Sequence, residues 1–192
     1  MMQGDRLSSV PVPGAWIGAG ALPSTRLLCL EDGPRGIQDP DGGASFQVWR
    51  GEVVRNQCII SAPNHAPQVI YTGSDVTDFS FTFDTNARFY HCVTDGGVTR
   101  FFFFNTLTGQ PDELTLPGVT TPKCTLDDRR VTQTTEADVM LAYLKPDGGL
   151  YYRQQRDRFT IERLLSAGPF TALEKMYMGS TLRLQFEVVR RV

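Results

Sequence analysis

Hydrophobic and polar positions alternate with a period of two in several short runs, the spacing at which a strand buries one face and wets the other. The cleanest is Phe79-Ser80-Phe81-Thr82-Phe83, three rings against two hydroxyls. Near the C-terminus, residues 181–189 set Leu182, Leu184, Phe186 and Val188 against Arg183, Gln185 and Glu187. That pattern predicts a half-exposed terminal strand, an edge guarded by Arg190 and Arg191. Between 46 and 116 the strand-like runs 46–54, 58–61, 68–72, 79–83, 89–94 and 98–105 make a meander, broken at Pro63-Asn64, Gly73-Ser74, Asp84-Thr85-Asn86 and Gly96-Gly97. One run departs from alternation. Phe101, Phe102, Phe103 and Phe104 cannot all face one way, so both sides of their strand need cover, from a second layer of the same domain or from another subunit.

Turn chemistry joins these runs. Pro146-Asp147-Gly148-Gly149 separates an apolar run, Val139 to Leu144, from Leu150-Tyr151-Tyr152, which passes into the polar Arg153-Gln154-Gln155-Arg156; this predicts a hairpin with one wet end. Asp-Gly-Gly also occurs at 41–43 and 95–97, so three such turns lie about 50 residues apart, a spacing that suggests repeated β modules. Residues 105–136, with Gly109, Pro111, Pro117, Gly118 and Pro122, read as a long connection holding one short strand at 113–116. Residues 159–165 fit either a strand or a short helix, and 171–178 have a weak helical pattern. Residues 1–45 are rich in Gly, Pro, Ser and Asp, with only 26–30 strand-like, and read as an arm ordered by a partner or by the body of the domain. The expected fold is all-β: an antiparallel meander, β-sandwich or set of partial propeller-like modules over 46–192, divided into modules 46–116 and 126–192, with an extended N-terminal arm and at most one short helix near 163–176.

Composition narrows the function classes. The 192 residues carry 19 basic and 21 acidic side chains, which gives no basic field for nucleic acid. Twelve Phe suit packed sheets, while 18 Gly and 12 Pro imply many turns. No apolar run approaches the roughly 20 residues that cross a bilayer, and the first residues lack a signal-peptide pattern, so the expectation is a soluble protein made in the cytoplasm, with no membrane partner. Cys29, Cys58, Cys92 and Cys124 are scattered without a close pair; they read as reduced, buried small hydrophobes and signal neither zinc nor a redox couple.

Catalytic constellations are not evident. The only histidines are His65, in a Pro/Asn turn, and His91, read as a structural histidine on a strand; no phosphate loop, dinucleotide fingerprint or serine elbow occurs. Asp127-Asp128 could hold a cation or act as acid and base, but Arg129 and Arg130 beside them favour a salt-bridged loop. Arg153, Arg156, Arg158 and Arg163 are interleaved with Asp157 and Glu162, a mixed-charge contact face. No enzyme activity, cofactor or metal is expected.

The run starting Leu126-Asp-Asp-Arg-Arg130, then Ala137 to Tyr143, Leu150 to Phe159 and Leu182 to Phe186, resembles small structural proteins of tailed bacteriophage virions, over roughly residues 124–188. The resemblance implies a β-rich, non-enzymatic tail or neck component, present in several copies around the tail axis and assembled into the virion in the host cytoplasm. Its partners would be other virion proteins and further copies of itself. The residues expected to make those contacts are Phe101, Phe102, Phe103, Phe104, Tyr151, Tyr152, Arg153, Gln154, Arg156 and Arg158. The alternative is a receptor- or carbohydrate-binding module of a tail fibre or tip, with Trp16, Trp49, Tyr151 or Tyr152 as stacking platforms. A hydrolase resting on scattered carboxylates such as Asp127 and Asp128 is a third reading.

Overall fold

A computed structural model describes residues 28–29, 35–38, 46–62, 65–84, 88–127, 138–178 and 184–190. They form antiparallel meanders in four sheets, so the chain is all-β, as alternation predicts. The first sheet holds β1 (Leu28–Cys29), β2 (Arg35–Gln38), β3 (Phe46–Val54), β4 (Gln57–Ala62) and β5 (His65–Thr72), paired in that order. The second holds β6 (Val76–Phe83), β7 (Phe89–Asp95), β8 (Val98–Asn105) and β9 (Gln110–Pro117). β10 (Thr120–Leu126), β11 (Val139–Leu144), β12 (Leu150–Gln154) and β13 (Arg163–Ser166) make the third, and the hairpin of β14 (Phe170–Met178) and β15 (Leu184–Arg190) the fourth. Two strands thus fall inside the segment read as an arm; the rest of that segment, with Trp16 and the first Asp-Gly-Gly, lies outside the described residues.

The sheets stack face to face in chain order, because each inner sheet is apolar on both sides. Phe79, Phe81, Phe83, Phe89, His91 and Phe102 point from the second sheet toward the first, where Trp49 and Tyr71 meet Phe83 and Phe102 at ring separations of 6.3 and 6.1 Å. Its other face sends Tyr90, Cys92, Phe101 and Phe103 toward the third sheet, and Ser80 Oγ accepts the Cys124 backbone N–H at 3.1 Å across that seam. Every residue of β11 is buried: Val139, Leu141 and Tyr143 face the main core, while Met140, Ala142 and Leu144 face a second core built with Phe170, Leu173 and Met176 of the outer hairpin. Continuous apolar runs in this chain therefore mark strands lying between two layers.

The four phenylalanines follow that rule. Phe101 and Phe103 face the third sheet and Phe102 the first, so cover comes from the chain's own layers. Phe104 is half-buried beneath the Arg88 guanidinium, 4.4 Å from its ring centroid.

Two sequence expectations need correction. Residues 105–127 are not a long connection, since β9 and β10 occupy them. Pro111 and Pro117 lie in β9, an edge strand, where a missing N–H costs no ladder bond. Nor is there a helix near 163–176, where β13 and β14 run; among the described residues the helical structure is one 3-10 turn, Gln155–Asp157. The helical look of β14 has a specific cause. Register shifts after Phe170 and after Leu173 insert extra residues, so Phe170, Leu173 and Met176 face inward at a spacing of three instead of two.

The two described Asp-Gly-Gly sequences close hairpins differently. Asp95 pairs with Val98 around Gly96 and Gly97 at φ 58° and 75°, a tight two-residue turn of the primed type. Leu144 instead pairs with Leu150 around the longer Lys145–Gly149 loop, where Asp147 accepts the Gly149 N–H at 2.8 Å.

Candidate contact surface

The end of the β11–β12 hairpin away from its turn is built by a polar strand, a 3-10 turn and an edge strand. β12 leaves the hairpin as Tyr151-Tyr152-Arg153-Gln154, and Gln155–Asp157 then reverse the chain. Arg158 and Phe159 follow at φ 53° and 57°, left-handed conformations unusual for residues other than glycine. What holds them is the Phe159 ring, buried against Phe101 at 4.7 Å and Phe103 at 5.0 Å, together with Arg153 Nη1, which donates to the Phe159 carbonyl at 2.7 Å.

Arg153 is thus an internal strut. Its Nε donates to the Tyr143 hydroxyl at 2.8 Å, and that hydroxyl donates to Glu162 Oε2 at 2.6 Å; Lys145 Nζ reaches Glu162 Oε1 at 2.9 Å. Burial pushes the Tyr143 phenol up, and its bond to Glu162 adds to that. Burial would also raise the Glu162 carboxyl, but the hydrogen bonds from Tyr143 and Lys145 outweigh it and hold the group below its ordinary value. Gln154 donates to Asp127 Oδ2 at 3.2 Å, while Gln155 reaches the Tyr90 hydroxyl at 2.9 Å and the buried Asp84 at 3.3 Å. Arg156 bridges Asp138 and Asp127, and its bond to Asp138 raises its already high pKa. Asp127 is thus salt-bridged, but to Arg156; the pairing expected with Arg129 and Arg130, and Asp128 itself, lie outside the described residues.

The contact residues expected from sequence are dispersed. Phe101, Phe102 and Phe103 are buried in the chain's own core and present no surface. Arg153 and Gln154 are bonded inward. Tyr151 and Tyr152 are half-buried, Tyr151 with its hydroxyl on Asp147 at 2.7 Å and Tyr152 beneath the Arg163 guanidinium. Arg156 and Arg158 remain exposed. Trp49 is wholly buried and cannot serve as a stacking platform for a sugar.

Sequence reasoning missed the apolar part of this surface. Ile161, Leu164 and Leu165 are 48%, 54% and 42% exposed on and just before β13, the edge of the third sheet. Their signal was visible, three aliphatics within five residues, but without alternation it read equally as strand or helix. Leu165 projects because a register shift leaves it between the pairs Tyr151–Leu164 and Leu150–Ser166.

Among the described residues no three His, Cys, Asp or Glu side chains converge as metal ligands would, and no helix is long and apolar enough to cross a membrane. His91 is buried within a cage of Phe79, Phe89 and Phe102, its ring 4.5 Å from that of Phe102, and burial lowers its pKa to about 3. Cys58, Cys92 and Cys124 are buried, with the Cys58 thiol pushed up to about 12 by desolvation and then by Asp95. The buried thiols agree with the sequence expectation; His91 is buried on a strand as expected, but its Nδ1 has no hydrogen-bond partner among the described residues, so it is not the satisfied histidine expected. The side chains of His65 and Cys29 are outside the described residues. No protein-family model matches the chain, and neither curated proteins nor solved structures show a significant similarity to it.

Proposed function

We propose that this chain is a multi-copy structural component of a tailed-phage virion, working by shape and by contact with neighbouring subunits. One observation supports contact as its mode of action above the others: the β13 edge, where aliphatic side chains face solvent while Glu162 and Arg163 are held in ion pairs with neighbouring side chains. An exposed apolar strand edge is a liability in a free-standing protein and is normally blunted or covered. The assignment to a phage tail or neck rests on the sequence resemblance over residues 124–188. The hydrogen-bond networks around buried Asp84 and part-buried Glu162 tie loops to strands, which suits a rigid part.

The test is to count the chain in gradient-purified tailed particles by quantitative mass spectrometry against the capsid protein. The expected result is a fixed, multiple copy number per particle that survives high-salt washing. Absence from infectious particles would overturn the proposal.

A further inference from the structure

We infer that Cys92 and Cys124 are an oxidisable pair, closing into a disulfide between the second and third sheets when the chain meets a low-molecular-weight disulfide such as oxidised glutathione. The sequence hides the pair, because β8 and β9 separate the two residues along the chain; stacking of the sheets brings them together. Cys92 lies within β7, paired with Ser80 on one side and Phe101 on the other, and Cys124 lies in β10 opposite Leu141. Both are wholly buried. Ser80 holds them against one another across the seam. Cys92 Sγ donates to the Ser80 carbonyl at 3.6 Å, Cys124 Sγ lies 3.8 Å from Ser80 Oγ, and that Oγ accepts the Cys124 N–H at 3.1 Å. The two cysteine side chains also hydrogen-bond directly. Cys58 belongs to the first sheet, so the second sheet stands between it and Cys124.

The reaction is two thiol–disulfide exchanges. β10 is an edge strand of the third sheet, packed against the edge strand β6 of the second, so Cys124 is reached first when the seam opens. Its thiolate attacks one sulfur of the small disulfide, and the other sulfur leaves as a thiol carrying the proton that Cys124 lost. The Cys92 thiolate then attacks Cys124 Sγ and expels the second small thiol, which takes the proton from Cys92. The chain is oxidised by loss of two hydrogens, and the small disulfide is reduced to two thiols. Burial raises the Cys92 thiol above its ordinary value, so exchange runs through the opened seam and the closed fold shields the product. An S–S bond of about 2.05 Å is shorter than a thiol hydrogen bond, and β10 can supply the movement, since its register already shifts between Thr120 and Lys123. The bond ties together two sheets whose direct covalent link is otherwise the short Gly118-Val119 connection. Such a chain is reduced where thiols are kept reduced and stapled in oxidising surroundings.

The test refolds the reduced whole chain in equal millimolar reduced and oxidised glutathione, quenches with acid, and maps the cysteines by proteolysis and mass spectrometry. The expected product lacks two hydrogens, carries a Cys92–Cys124 cross-link, and melts about 5–10 °C above the reduced chain, a gain that a reductant removes. Cys124→Ala should melt at one temperature with or without the oxidant; the wild-type map decides the question even where that variant folds poorly. A folded chain in which Cys92 and Cys124 stay as thiols, or stop as glutathione adducts, overturns the inference. So does a cross-link from either to Cys29 or Cys58, or a Cys92–Cys124 bond that leaves the melting temperature unchanged or lowers it.

Discussion

Phe159 shows how one side chain can fix a surface. Its backbone and that of Arg158 sit in left-handed conformations, each costing roughly 1–2 kcal/mol for a residue with a Cβ. Burial of the ring among Tyr90, Phe101 and Phe103 offsets that cost and sets where β13 begins. Phe159→Ala should therefore destabilise the fold by about 3–5 kcal/mol in urea titration, and a loss under about 1 kcal/mol would show that the ring anchors nothing. Tyr143→Phe removes a hydroxyl shared by Arg153 and Glu162, and hydrogen bonds to charged groups are worth about 1.5–3 kcal/mol. That loss should appear in the same titration.

His91 yields a pH prediction. Its pKa falls from 6.5 in the unfolded chain to about 3 in the fold. Only the unfolded state takes up the proton between those values, so stability is fully present above about pH 6.5 and declines as pH falls toward 3, by up to about 1.4 kcal/mol per pH unit. His91→Phe should flatten that part of the pH–stability curve; an unchanged slope would mean that the imidazole is not neutral in the core.

Turns and layer contacts act at the scale of whole strands. At Gly51 of β3 the first sheet comes close against the second: a Cβ there would lie 2.6 Å from Phe81 Cε1 and 2.7 Å from Phe79 Cε1. Gly51→Ala should cost about 1–3 kcal/mol through overpacking, measured by thermal melting, whereas Gly97→Ala meets no atom within 4 Å and bears only its φ of +75°. Equal losses at the two sites would contradict close stacking of the first two sheets.

Much of this level was legible in the sequence. The runs 46–54 and 98–105 coincide with β3 and β8, because alternation or ring density was bounded by plain turn residues. Illegible were β9 and β10, where proline at tolerated edge positions mimicked a loop, and β14, where two register shifts disguised the strand period as a helical one. The contact surface was legible only in part. Arg156 and Arg158, expected from their charge as contact residues, are exposed, but the phenylalanines that looked most in need of a partner find it inside the chain.

As a whole molecule, the chain is a stack of sheets in sequence order, in which neighbouring layers cover one another and polar networks pin the loops. Its β13 edge leaves Ile161, Leu164 and Leu165 facing solvent. We propose that this protein acts by contact, as one of several copies in a phage tail. The most direct measurement is an electron cryomicroscopy map of the intact particle at side-chain resolution. Several symmetry-related copies of the stack are expected about the tail axis, with Ile161, Leu164 and Leu165 excluded from solvent by a neighbouring subunit. A map that lacks the chain, or that leaves those three side chains facing solvent, would contradict it.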